Sequence, residues 1–171
     1  MNYLLRALLL GIAAGLAMDA MADARLDVQL GPVKGSANAS TVALSLVNVG
    51  DQVALVSLAS LPSVNARGML LNDAFVVKKE NAGSIEYIGI MLDEIPVDRG
   101  SVPISAGGAL VVEVELDKSY RVSPGTSYNV ALRTPIAYAN ADDSGVSDGL
   151  LERRGVKWNE VKPPPLRINV P

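Results

Sequence analysis

Acidic side chains supply the constellations from which this 171-residue chain could build chemistry. Glu113 and Glu115 stand two apart in the aliphatic run 109–116. Alternate residues of a strand share a face, which places the two carboxylates about 7 Å apart. Such a pair can split its pKa values and act as acid and base, or it can line a solvated sheet face. A second group lies in Asn140-Ala141-Asp142-Asp143-Ser144-Gly145. Asn140, Asp142 and Ser144 occupy positions 1, 3 and 5 of a calcium-loop opening, Gly145 position 6 and Asp148 position 9. Position 12 is Leu151 where a bidentate Glu belongs, and Glu152 comes one place late. The same residues also read as an exposed acidic loop.

The rest of the composition narrows the options. The sequence contains no His and no Cys. That removes Ser-His-Asp and Cys-His catalysis, disulfide frameworks, and any zinc site built on imidazole or thiolate. Fifteen Lys and Arg against eighteen Asp and Glu give a net charge of -3, which disfavours a nucleic-acid partner. With 49% hydrophobic and 19% charged residues, the chain can form a core. Arg153-Arg154 offers a processing site or two solvated charges. Trp158, the single Trp, reads as a packing anchor, and Pro163-Pro164-Pro165 as a stiff extended connector.

The elements that would position these groups begin after an export signal. Arg6 precedes an uncharged run of twelve residues, 7–18, too short for the roughly 20 a helix needs to cross a bilayer. Ala22-Asp23-Ala24 follows with small residues at both specificity positions, and cleavage after Ala24 is expected. Residues 1–24 are thus read as a signal peptide and 25–171 as one secreted or periplasmic domain, with no membrane contact after signal removal.

Beyond residue 24, strand patterns dominate. Residues 25–30, 41–48, 52–58, 74–79, 84–91, 109–116, 127–132 and 166–170 are rich in β-formers, mostly alternate apolar with polar, and are separated by Gly, Asn and Pro turns. Residues 41–58 read as a hairpin around Asn48-Val49-Gly50-Asp51, and 84–91 as pairing back on 74–79. The expected fold class is all-β: an antiparallel two-sheet sandwich, immunoglobulin-like in outline. Residues 134–165 read as an irregular polar excursion between the last two strands.

Several of these segments, in order, carry a resemblance. Leu46-Val47-Asn48-Val49-Gly50-Asp51, Leu61-Pro62, Phe75-Val76-Val77 and Ile85-Glu86-Tyr87-Ile88-Gly89 come first. Ile104-Ser105-Ala106-Gly107-Gly108, then 112–120 (VEVELDKSY) and 125–130 (GTSYNV), follow. Over residues 25–132 the chain resembles the N-terminal pro-region of deuterolysin-type (aspzincin) zinc metalloendopeptidases. The resemblance implies a non-catalytic propeptide that assists folding of its protease and keeps it latent until cleavage. The zinc and its H-E-x-x-H ligands would belong to the partner, since this chain has no His. A group that displaces the zinc-bound water would here have to be an oxygen, and Asp142, Asp143 and Asp148 are the inhibitory contact candidates. The other reading is an exported β-sandwich binding module, an adhesin subunit or envelope chaperone unrelated to a protease.

Overall fold

The computed structural model describes residues 23–33, 35, 36, 38–80, 82–90, 100–141 and 156–171. Ten strands run through them: β1 (Leu26–Pro32), β2 (Thr41–Asn48), β3 (Ala54–Ser57), β4 (Phe75–Lys79), β5 (Ser101–Ile104), β6 (Ala109–Glu115), β7 (Thr126–Leu132), β8 (Ile136–Asn140), β9 (Asn159–Val161) and β10 (Leu166–Val170). Two short 3-10 turns, Leu58–Ser60 and Leu116–Lys118, are the helical elements among the described residues. The chain is all-β, and every strand pair is antiparallel.

The strands divide among three sheets where two were expected. Their orders are β1-β2-β6, β10-β7-β4 and β5-β3-β8-β9. One apolar cluster serves all three. It takes Val42, Leu44 and Leu46 from β2, Val56 from β3, Phe75 and Val77 from β4, Val130 and Leu132 from β7, and Ile136 from β8. β2 shows why its sequence folds this way: Val42, Leu44 and Leu46 are fully buried while Ala43, Ser45 and Val47 between them are half-buried. Burying each such leucine contributes roughly 1.5–3 kcal/mol.

The 41–58 hairpin does not form. β2 pairs with β1 and β6, whereas β3 pairs with β5 and β8 in another sheet. The crossing is fixed by Asn48, whose side chain is fully buried. Its Nδ2 donates to Gln52 O at 2.7 Å and Ile104 O at 2.9 Å, and its Oδ1 accepts Gly50 N–H at 3.1 Å. Alternation tells which side of a strand is apolar; it does not choose the partner strand.

The 134–165 excursion is also shorter than expected, because β8 and β9 lie inside it. Ile136-Ala137-Tyr138-Ala139 is apolar on both faces and shows no period of two. Its two edges pair with β3 and β9, and Ile136, Tyr138 and Ala139 are buried, so neither face needs to be polar. β9 has three residues, too few for a pattern. β5 carries Pro103, which an edge strand tolerates because its N–H need not join the ladder. The expected 84–91 strand reduces to bridges, Lys78 with Ser84 and Tyr87 with Tyr120.

The turns read from glycine are present. Gly107 (φ 71°) and Gly125 (φ 71°) take the left-handed conformation that residues with a Cβ avoid. Gly107 closes the turn between β5 and β6, where Gly108 N donates to Ser105 O at 2.8 Å. β10 completes its own sheet against β7, with Ile168 opposite Tyr128.

Candidate functional site

Of the inhibitory candidates, Asp142, Asp143 and Asp148 lie outside the described residues, as do Ser144 and the Arg153-Arg154 pair. So does Gly145-Val146-Ser147-Asp148-Gly149, a G-x-S-x-G pattern. That motif needs a histidine partner, and the sequence has none.

Asn140, the first position of the candidate calcium loop, ends β8. Its Oδ1 accepts Ala24 N–H at 2.7 Å and its Nδ2 donates to Asp23 Oδ1 at 3.0 Å. Its side chain is thus engaged with the segment that enters β1. Among the described residues, no three Asp or Glu side chains converge as a metal site would require.

Glu113 and Glu115 lie on β6, at the rim of an open depression of about 430 Å³ with Ser36, Asn38, Thr41 and Gly68. Glu113 is exposed. Glu115 is half-buried, and Lys118 Nζ lies 2.7 Å from its Oε1. Asn38 Nδ2 donates to Glu115 Oε2 at 3.3 Å and also reaches Asp117. Glu115, held by a lysine and an amide, serves the turn after β6.

Two further features were not singled out from the sequence. One is a larger open cleft of about 910 Å³, bordered by Asp23, Arg25, Asp51, Tyr138, Asn140 and Lys157. Its charges are mixed, two acidic and two basic. The other is a polar cluster set into the core. Tyr120 is 1% exposed; its hydroxyl donates to Asp73 Oδ1 at 2.8 Å and accepts Phe75 N–H at 3.1 Å. Arg133 pairs with Asp73 from the other side, and the Tyr87 ring meets Tyr120 edge-on with centroids 5.4 Å apart. Burial, then the Asp73 carboxylate, push the Tyr120 hydroxyl far above its ordinary range. Burial also raises Tyr87. Both phenols act as hydrogen-bond donors, Tyr120 to Asp73 and Tyr87 to Leu70 O at 2.7 Å. No spacing rule links positions 73, 120 and 133, so nothing in the linear order marks them as neighbours.

β6 is an edge strand of its sheet, as β1 is on the other side. Its inner edge pairs with β2 from Val47 opposite Ala109 to Thr41 opposite Glu115. Among the described residues, no strand pairs with the outer edge. Ala109, Val111 and Glu113 are exposed along it, Val111 at 54%. A seven-residue strand with an open edge and an aliphatic face is a template for main-chain pairing. Trp158 is half-buried ahead of β9, and Pro163–Pro165 joins β9 to β10.

No family model matches this chain, and no curated protein matches it. Among solved structures it is similar to a Northeast Structural Genomics Consortium target known from an X-ray structure. The two share 11% identity over 87% of this chain and 88% of that one, with a TM-score of 0.38. A likeness of that size carries no argument about activity.

Proposed function

We propose that this chain is an exported, non-catalytic binding protein, and specifically the propeptide of an aspzincin-type zinc metalloendopeptidase that assists folding of its protease and holds it latent until cleavage. As part of that proposal, residues 1–24 contain the export signal and the sheets are layered in an immunoglobulin-like outline around their shared core. The observation that carries it is the open β6 edge, with Val111 exposed, on a chain that has no imidazole and no thiol. A polypeptide partner can add a strand there, gaining main-chain hydrogen bonds while Val111 and Ala109 meet its side chains. The ordered resemblance over residues 25–132 supplies the partner. Asp142, Asp143 and Asp148 are the carboxylates that would reach its zinc, which is the partner's and not this chain's.

The test mixes the purified chain with a zinc metalloendopeptidase of this type and follows co-elution and peptidase activity. Co-elution with inhibition is expected. Absence of both co-elution and inhibition would overturn the proposal. Replacing Asp142, Asp143 and Asp148 together by Ala is expected to weaken inhibition while binding persists. Unchanged potency would remove those carboxylates from the account.

A second reading keeps the β6 edge and drops the protease: an exported β module of the adhesin-subunit or envelope-chaperone kind. The exposed edge favours it to the same degree. The terminal strand that such a module could donate is β10, and it is occupied by β7. Binding of extended peptides that Val111→Lys abolishes, with no effect on any protease, would favour this reading.

A further inference from the structure

We infer that the exported chain is cut between Ala22 and Asp23, so that Asp23 is its first residue and its new amino group pairs with Asp51. The inference rests on the export reading and moves the cut two residues from the position the sequence alone suggested. Two overlapping patterns of small residues lie here, Ala20-Met21-Ala22 and Ala22-Asp23-Ala24. Both satisfy a leader peptidase that needs small side chains at the first and third positions before the cut. The sequence therefore leaves two sites, and the fold separates them.

Asp23 and Ala24 belong to the folded domain. Ala24 is 5% exposed and packs in the core cluster beside Leu26 and Val28. Its N–H donates to Asn140 Oδ1 at 2.7 Å. Asp23 is bound at three points: its N–H donates to Asp51 Oδ1 at 2.8 Å, its carbonyl accepts Asp51 N–H at 3.2 Å, and its Oδ1 accepts Asn140 Nδ2 at 3.0 Å. Gly50 lies so close that a Cβ there would clash with Asp23 O. A cut after Ala24 would strip all four hydrogen bonds and uncover the β2–β3 crossing.

A cut after Ala22 costs none of them. Water adds across the Ala22–Asp23 peptide bond, giving a carboxylate on Ala22 and an amine on Asp23, which takes up a proton at neutral pH. The Asp23 nitrogen already points at Asp51 Oδ1, so the neutral N–H···O contact becomes a charge-assisted one.

The experiment expresses the full chain in a bacterial secretion host and reads the exported product by intact mass and N-terminal sequencing. The expected product begins Asp-Ala-Arg-Leu. A product beginning Arg-Leu-Asp-Val overturns the inference and leaves the export reading standing, whereas an uncut, retained chain overturns both. Ala20→Leu is expected to abolish or displace the cut, since Ala20 is the third position before it; normal cutting of that variant would speak against the inference. Independently, chains prepared to start at Asp23 and at Arg25 are compared by thermal unfolding. The shorter is expected to melt lower by roughly 5 °C or more. Equal midpoints would count against a structural role for the two residues.

Discussion

The Tyr120 hydroxyl sits 2.8 Å from Asp73 Oδ1 and accepts the Phe75 N–H, which fastens the segment after β6 to the first residue of β4. Phe75 is itself fully buried and pairs across to Leu132 of β7. One phenol thus ties two sheets at the point where β4 enters the core.

Removing that oxygen is expected to cost about 2 kcal/mol. Tyr120→Phe keeps the ring and its contact with Tyr87 but leaves the Phe75 N–H without its acceptor. Urea unfolding should show a lower midpoint with an unchanged slope.

The same hydroxyl makes the fold sensitive to alkali. Its pKa is raised above the ordinary tyrosine value of 10.0, first by burial and then by Asp73. The folded state therefore keeps a proton that the unfolded state releases. The stabilisation is complete below about pH 10 and is lost as pH rises above it. Thermal midpoints from pH 8 to 11 should fall in the wild type above pH 10, and fall less in Tyr120→Phe.

Asn48 should be among the least replaceable polar residues described. Asn48→Ala strips partners from the carbonyls of Gln52 and Ile104 and from the Gly50 N–H. A loss of roughly 3 kcal/mol is expected, because buried polar groups left unmatched lose their hydration without replacement. Chemical denaturation measures it.

Gly50→Ala is expected to destabilise by roughly 1–3 kcal/mol, because the added Cβ meets backbone atoms of Asp23 and Arg25 that cannot turn away. Hydrogen exchange should also rise at the Val49 amide, which donates to Arg25 O at 2.8 Å.

Val111 tests the surface without touching the core. Val111→Lys is expected to leave the thermal midpoint within about 1–2 °C of wild type, since exposed substitutions usually stay within ~0.5 kcal/mol. The charge blunts the open edge of β6, and binding of a polypeptide partner should fall at least tenfold by calorimetry.

The alternation in Val42, Leu44 and Leu46 and in Phe75 and Val77, with the glycines at 107 and 125, made the all-β class, most strands and two turns legible in the amino-acid order. These are local properties: side chains alternate with period two, and a left-handed turn calls for glycine. The absence of His and Cys likewise fixed, with no reference to shape, which catalytic chemistries this chain cannot perform. Partner choice was decided only in three dimensions. Whether β2 turns back on β3 or crosses to another sheet depends on the buried amide of Asn48 finding Ile104 O, 56 positions away. Ile136-Ala137-Tyr138-Ala139 became a strand because β3 and β9 pair with both of its edges, and Asp73, Tyr120 and Arg133 became one cluster because packing brings distant segments together. Such contacts join residues far apart in the chain, and no spacing along it encodes which distant group will satisfy a buried donor or acceptor.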